Sequence, residues 1–278
     1  MTKRQKINSI IYKILIGIAT IFTFALLIGI IFYVASKGIP HIKPSLFAWK
    51  FTSTNQSMMP AIINTLHMIL ITLLVSVPIG VFTAIYMVEY AKPGNVFVRV
   101  VRLATETLQG IPSIVFGLFG YIFFTQLLKL DYSILSGALT MSIMVLPLII
   151  RSTEEALIAV DNKYREASYG LGARKLRTVF NVVLPPAMNG IFSGIILAIG
   201  RVFGETAALM YTAGTMQQLA GIRDSGATLA IHMYKQHSEA RYPNETFVTA
   251  FVLLVVVVLI NALSSYIGGK IGGKTDGR

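Results

Sequence analysis

Residues 166–185 read EASYGLGARKLRTVFNVVLP, and the reading of this stretch decides the rest of the chain. It lies within a polar segment, Arg151 to Gly190, set between two long apolar runs. A connection of that length inside a compact bundle is usually functional. Its pattern is helical. Ser152 or Thr153 followed by Glu154 and Glu155 reads as a helix start with acids in the first turn, and Ala156, Leu157, Ala159 and Val160 supply an apolar face. After Asp161 and Asn162 a second short helix is expected, interrupted by Gly170 and Gly172. Small residues at Ala167, Ser168, Gly170, Gly172 and Ala173 would let another protein approach closely, with Arg and Lys around them for charged contacts. A solvated, charge-mixed loop helix has the same residues, and composition alone favours it.

Outward from this segment the chain is apolar. Its 278 residues are 54% hydrophobic and 13% charged, with a mean hydropathy of +0.69, far from an ordinary soluble domain. The composition is that of an integral membrane protein. A helix crossing about 30 Å of hydrocarbon needs roughly 20 residues, and six apolar runs approach that length: Ile14–Ala35, His67–Tyr86, Ile111–Leu128, Ser133–Ile150, Val183–Met210 and Thr246–Ile267. The first is too long for a signal-peptide core and has no small-residue cleavage site behind it, so it is read as retained.

The basic residues orient these runs. Lys3, Arg4, Lys6 and Lys13 place the N-terminus in the cytoplasm. With six crossings, sixteen Lys/Arg then fall on the inner side and seven on the outer, and the C-terminus is cytoplasmic too. The net charge of +12 is thereby explained by topology, without a nucleic-acid partner.

Several chemistries are excluded or disfavoured. There is no cysteine, hence no disulfide or thiolate site. His41, His67, His232 and His237 are scattered without ligand spacing, so no metal site is expected, and no catalytic Ser/His/Asp set can be assembled. The C-terminal GGKIGGKT, Gly268 to Thr275, fits the phosphate-loop pattern letter for letter. That loop requires a strand before it and a helix after it. Here an apolar run precedes it and three residues follow, so a basic tail is expected.

The fifth run holds Arg201 and Glu205, followed by Thr206. An arginine near a membrane helix centre costs roughly 2.5–3.5 kcal/mol on insertion scales, so such charges usually face a partner or a wet path. Four residues apart on a helix, the two can pair. Either they form a buried ion pair that locks packing, or they line a polar path with Gly200, Gly204 and Thr206.

The segment that opened the argument resembles a known signature. Glu166-Ala167-Ser168, Gly172, Val182 and Leu184-Pro185 are spaced as in the EAA signature of binding-protein-dependent ABC importer permeases, departing by Ser168 for Ala and Val182 for Ile. The resemblance implies a type I ABC importer permease fold, all-α with six transmembrane helices. It also implies that residues 152–182 form a cytoplasmic coupling helix seated on a separate ATPase, with Glu166, Ala167, Ser168, Gly172, Ala173, Leu184 and Pro185 in that role. GRVFGETAAL (Gly200–Leu209), PSIVFGLFG (Pro112–Gly120) and AIYMVEYA (Ala84–Ala91) are similar to segments of phosphate permeases of the PstA type, with Ala208 where that family usually has Pro. By that likeness residues 59–268 are the permease core, 1–58 an N-terminal tail with the first helix and outer loop, and 269–278 a cytoplasmic tail.

The same resemblance implies the working assembly. It consists of a second permease subunit (PstC type), an ATPase dimer (PstB type) holding ATP and Mg, and an extracytoplasmic phosphate-binding protein (PstS type), in the cytoplasmic or inner membrane. This chain would bind no cofactor or metal and catalyse nothing itself. Arg201, Glu205 and Thr206 would line the phosphate path. The same fold carrying sulfate or molybdate, or a phosphate-sensing scaffold, is the alternative. The outer loop from Tyr211 to Glu245, with its amphipathic ATLAIHMYKQ stretch, would face the binding protein, shield the path or be an ordinary surface loop.

Overall fold

In the computed structural model, which describes residues 3–239 and 242–272, every regular element is a helix. Helix α1 spans Lys3–Gly38 and stands apart, with none of its most apolar stretch buried. It touches the body at its far end, where Gly38 lies against the Phe247 backbone and the Tyr33 ring meets Phe247 edge-on at 5.7 Å. A helix so apolar and so little covered belongs in lipid or against another chain.

Helix α2, Met59–Ile85, runs on into a π-helical turn, Tyr86–Tyr90. After a short connection come α3, Val96–Gln109, and α4, Ser113–Gly120, the latter extended by a π-helical stretch, Tyr121–Leu127. The third apolar run therefore differs from its expected form. The helix at Ser113–Leu127 is about 22 Å long at 1.5 Å per residue and meets α3 at 107°. Gly110 and Pro112 make the break, because the residue before a proline is turned away from helical geometry. Counting this bent pair as one span gives six spans in all.

Helix α5, Ile134–Ile158, is the central post and packs along α2. Gly80 of α2 has no room for a side chain because Ile149 of α5 fills the space. Met68, Met141, Val145 and Ile149 are buried in this seam. Its polar glue is the Ser142 hydroxyl, shared between the carbonyls of Ala138 at 2.7 Å and Thr72 at 3.2 Å. The helix start expected at Ser152 or Thr153 does not occur: α5 continues through both, since its apolar face continues through Leu157.

Helix α6, Asn162–Gly170, and the single turn α7, Lys175–Thr178, follow. A π-helical turn, Val179–Val183, then leads into α8, Leu184–Gly204. The stretch expected to be helical over 152–182 is thus divided among four elements. The fifth run is also interrupted: α8 stops at Gly204 and α9, Ala207–Thr212, starts anew. Residues 213–228 fold back over the start of α5, where the Ile134 and Leu135 amides donate to the Asp224 and Ile222 carbonyls. Buried Asn64 pins this cover by bonding Gln218, Ala220 and Ala227. Helix α10, Leu229–Ser238, comes from the amphipathic stretch of the outer loop, but Leu229, Ile231, His232 and Gln236 are buried. Helix α11, Pro243–Gly272, closes the described chain. Gly268 to Gly272 of the phosphate-loop look-alike are its end, and Gly273, Lys274 and Thr275 lie outside the described residues.

Candidate functional site: a docking tip and a broken helix

At the end of the bundle where α5 stops, α6 projects as a tip. Asp161 caps it by accepting from the Lys163 amide at 2.9 Å. It ends in a turn in which Gly172 has φ +80°, a conformation that favours glycine, while the Ala173 amide returns to the Ser168 carbonyl at 3.1 Å. Leu171, at the apex, is 90% exposed. Ala167, Ser168, Gly172 and Ala173 line one cleft of about 450 Å³ together with Tyr164 and Leu171.

The departure at Ser168 has a physical account. Its side chain is buried and its hydroxyl shares a hydrogen bond with that of Thr178 at 2.8 Å, tying α6 to α7. Glu166 is exposed. Leu184 and Pro185 are not brought to the cleft. They begin α8, where Leu184 packs on the buried Val179, Val183 and Ile191 beneath the tip.

What fixes the tip is a pair that the sequence reading did not single out. The Arg165 guanidinium donates to one oxygen of Glu89 through Nε at 3.0 Å and Nη2 at 2.7 Å. Its remaining N–H groups reach the Val160 carbonyl at 2.7 Å and the Leu157 carbonyl at 2.9 Å. One side chain thereby satisfies carbonyls at the end of α5 and joins α6 to the π-helical turn after α2. The signal was present: Glu89 lies within AIYMVEYA and Arg165 directly precedes Glu166. Only the fold brings them together.

At the opposite end of α8, of the two arrangements open to Arg201 and Glu205, the ion pair does not form. Glu205 is extended, with φ −73° and ψ 129°, so it does not continue the helical face that carries Arg201. Its carboxylate accepts instead from the Ala208 amide at 3.0 Å and caps α9. Among the described residues the ion pairs are Arg102–Glu154, Arg151–Glu155 and Arg165–Glu89, and the Arg201 guanidinium has no partner. Gly200 and Gly204 face open space, so they do not serve close packing within this chain. Thr206, in the break, lines a cavity of about 540 Å³ with Ile114, Met210, Tyr211, Tyr234 and His237. The glycines of PSIVFGLFG explain how α9 is held. Gly117 admits the Ala208 backbone, and Gly120 lies against Thr140 and Thr212.

Residues 76–272 match the family described as binding-protein-dependent transport system inner membrane component. A probable ABC transporter permease protein, YqgI, of Bacillus subtilis is 33% identical over 261 residues, covering 86% of this chain and 87% of its own. A phosphate transport system permease protein, PstA, of Pasteurella multocida is 31% identical, covering 90% and 92%. Among solved structures, a bacterial ABC transporter involved in import of the acidic polysaccharide alginate aligns with a TM-score of 0.66 at 17% identity over 97% of this chain and 98% of its own. The methionine ABC transporter MetNI aligns with a TM-score of 0.58 at 18% identity, over 77% and 94%. The fold is that of type I ABC importer permeases.

Proposed function

Because this chain belongs to the family of binding-protein-dependent transport system inner-membrane components, we propose that it is a transmembrane subunit of an ATP-driven phosphate importer. Its relatives include phosphate permeases matched over most of their length, which is what favours phosphate over other oxyanions. The observation that carries anion conduction is Arg201: a cation on a membrane helix, beside a break in that helix, with no counter-charge among the described residues of its own chain. Leaving an arginine so is costly unless something outside the chain compensates it. A passing phosphate, or a second permease subunit across the path, supplies that compensation. Thr206, in the same break, offers a hydroxyl to the anion, and Glu205 holds the break in shape through its cap on α9.

At the α6 end, the cleft lined by Ala167, Ser168, Gly172 and Ala173, with Leu171 at its tip, is read as the seat on the ATPase, and Glu166 as an exposed contact beside it. This end is cytoplasmic, as are both termini. ATP and Mg are bound and ATP hydrolysed by the partner, while an extracytoplasmic binding protein delivers phosphate at the opposite face. Closure of the ATPase dimer pushes α6. Arg165 passes the displacement to α5 and α2 at once, because it is bonded to both, and α8, continuous with the π-turn beneath α6, carries it to Arg201. Such a change shifts a two-state equilibrium between inward and outward openings.

The test is uptake of radiolabelled phosphate by proteoliposomes containing this chain with the second permease, the ATPase and the binding protein, with sulfate and molybdate as competitors. ATP-dependent uptake resistant to both competitors is expected. Transport of another oxyanion in its place would overturn the substrate and leave the permease assignment standing.

A further inference from the structure

The connection between α2 and α4 holds a second charged feature that transport does not use. Helix α3 has fourteen residues, about 21 Å at 1.5 Å per residue, too short to cross a bilayer, and it meets the next helix at 107°. Its inner side is anchored: Val98 is buried with Met87 and Ile150, and Arg102 meets Glu154 near the end of α5 at 2.7 Å. Its outer side is apolar and uncovered, with Val96, Phe97, Val100 and Leu103 each more than half exposed.

Beside it lies a cleft of about 480 Å³ lined by Lys92, Asn95, Arg99, Arg102 and the exposed Ile158, among others, and by no carboxylate. Arg102 shares its charge with Glu154. Lys92 and Arg99 have no side-chain partner among the described residues. The cleft is at the end of the bundle that bears α6, since Ile158 closes α5 immediately before α6 begins.

Two chemistries are thus adjacent: unpaired cations around a cleft, and an exposed apolar helix face continuous with it. A soluble anion such as phosphate satisfies only the first. A solvated protein surface would leave the second in water. An amphipathic helix with cations at headgroup level and apolar residues among the acyl chains satisfies both, and basic clusters on the cytoplasmic side of membrane proteins are suited to anionic headgroups. We infer that the cleft formed by Lys92, Arg99 and Arg102 beside α3 binds the headgroup of an anionic phospholipid such as phosphatidylglycerol, whose acyl chains lie along Val100, Leu103 and Ile158. The lipid would then hold α3 at the membrane surface, against the inner ends of α2 and α5.

Native mass spectrometry tests this on the full-length chain, purified in its complex and incubated with phosphatidylglycerol and phosphatidylcholine. Each cation near the surface is worth about a five-fold change in affinity, so Lys92→Gln/Arg99→Gln should lower phosphatidylglycerol retention about 25-fold while phosphatidylcholine retention stays unchanged. The charge-conserving Lys92→Arg/Arg99→Lys should keep it, which separates loss of charge from misfolding. Millimolar inorganic phosphate should not displace the lipid. Equal retention by the charge-removed variant, or displacement by inorganic phosphate, would overturn the proposal. So would a complex in which the cleft proves covered by a partner subunit, read as protection of Lys92 from amine labelling in lipid-free detergent. None of these readouts depends on transport, so they stand apart from the uptake assay.

Discussion

The Arg165 guanidinium meets a single oxygen of Glu89 through two donors, at 3.0 and 2.7 Å, with the two side chains only 13% and 4% exposed. The pair lies where α6 joins the ends of α2 and α5, and it is buried enough that neither charge can be solvated when the other is removed.

We therefore expect Arg165→Ala to destabilise the protein by about 3–5 kcal/mol, the usual cost of leaving one member of a buried pair alone. Glu89→Gln, which keeps an acceptor, should cost less. Thermal unfolding of the solubilised complex checks both, and ATPase stimulation by loaded binding protein should fall for each variant at temperatures where it is folded. Full stimulation in a folded Arg165→Ala complex would remove the pair from the coupling route.

Arg201→Ala and Glu205→Ala should behave differently. The first removes the cation proposed to face the path, and phosphate uptake should drop by at least about ten-fold with assembly intact, because one or two charge-assisted contacts worth ~1.5–3 kcal/mol each are lost. The second removes a cap on α9, with a stability cost of about 1 kcal/mol and a smaller effect on uptake. Initial rates in proteoliposomes distinguish them. Equal losses would mean that Glu205 also meets the substrate.

Leu171 is exposed at the apex of the tip, so Leu171→Asp should leave thermal stability within about 0.5 kcal/mol of wild type while weakening capture of the ATPase. Gly172→Arg should weaken capture as well and in addition cost stability of about 1 kcal/mol, because its φ of +80° disfavours a side chain. Retention of ATPase by both variants would sink the docking assignment.

Gly120 faces Thr140 and Thr212 without room for a methyl group. Gly120→Ala should cost about 1–3 kcal/mol through overpacking and loosen α9 against α4, lowering the melting temperature. An unchanged melting temperature would show that α4 can move aside.

His232 on α10 gives the pH dependence. Burial pushes its pKa down to about 4, with Lys235 acting in the same direction and the Gln56 backbone opposing. The unfolded chain takes up the proton near pH 6.5 and the folded one only near 4. Stability is therefore full above about pH 6.5 and declines by about 3 kcal/mol as pH falls from there to about 4. His232→Gln should flatten that part of the profile in thermal melts between those limits; an unchanged slope would assign the loss to other groups.

Much of this molecule was legible in one dimension. Apolar length gave the spans because a helix must satisfy its backbone polar groups internally in lipid, and that requirement acts locally along the chain. The EAA-like spacing marked the segment that forms the exposed tip at α6, and Arg201 marked itself by the cost of placing a charge in an apolar run. Less legible were the ends and breaks of helices. Ser152 reads as a cap yet lies inside α5, because the apolar face that buries Leu157 outweighs a capping preference of about 1 kcal/mol. The amphipathic helix α3 lies between two of the apolar runs and ends at the break at Gly110–Pro112, so a search for long apolar stretches does not show it.

The sequence by itself determined which segments are helical and apolar, where the cations lie and where small residues cluster, since each of these is set by neighbours within a turn or two. The tertiary structure decided the pairings. Glu89 and Arg165 are 76 residues apart, and whether they meet depends on how α2 and α5 pack. Arg201 and Glu205 are four apart and do not pair, because the backbone leaves the helix between them. Spacing along a helix predicts a contact only while the helix continues, and whether it continues is settled by what the rest of the fold packs against it.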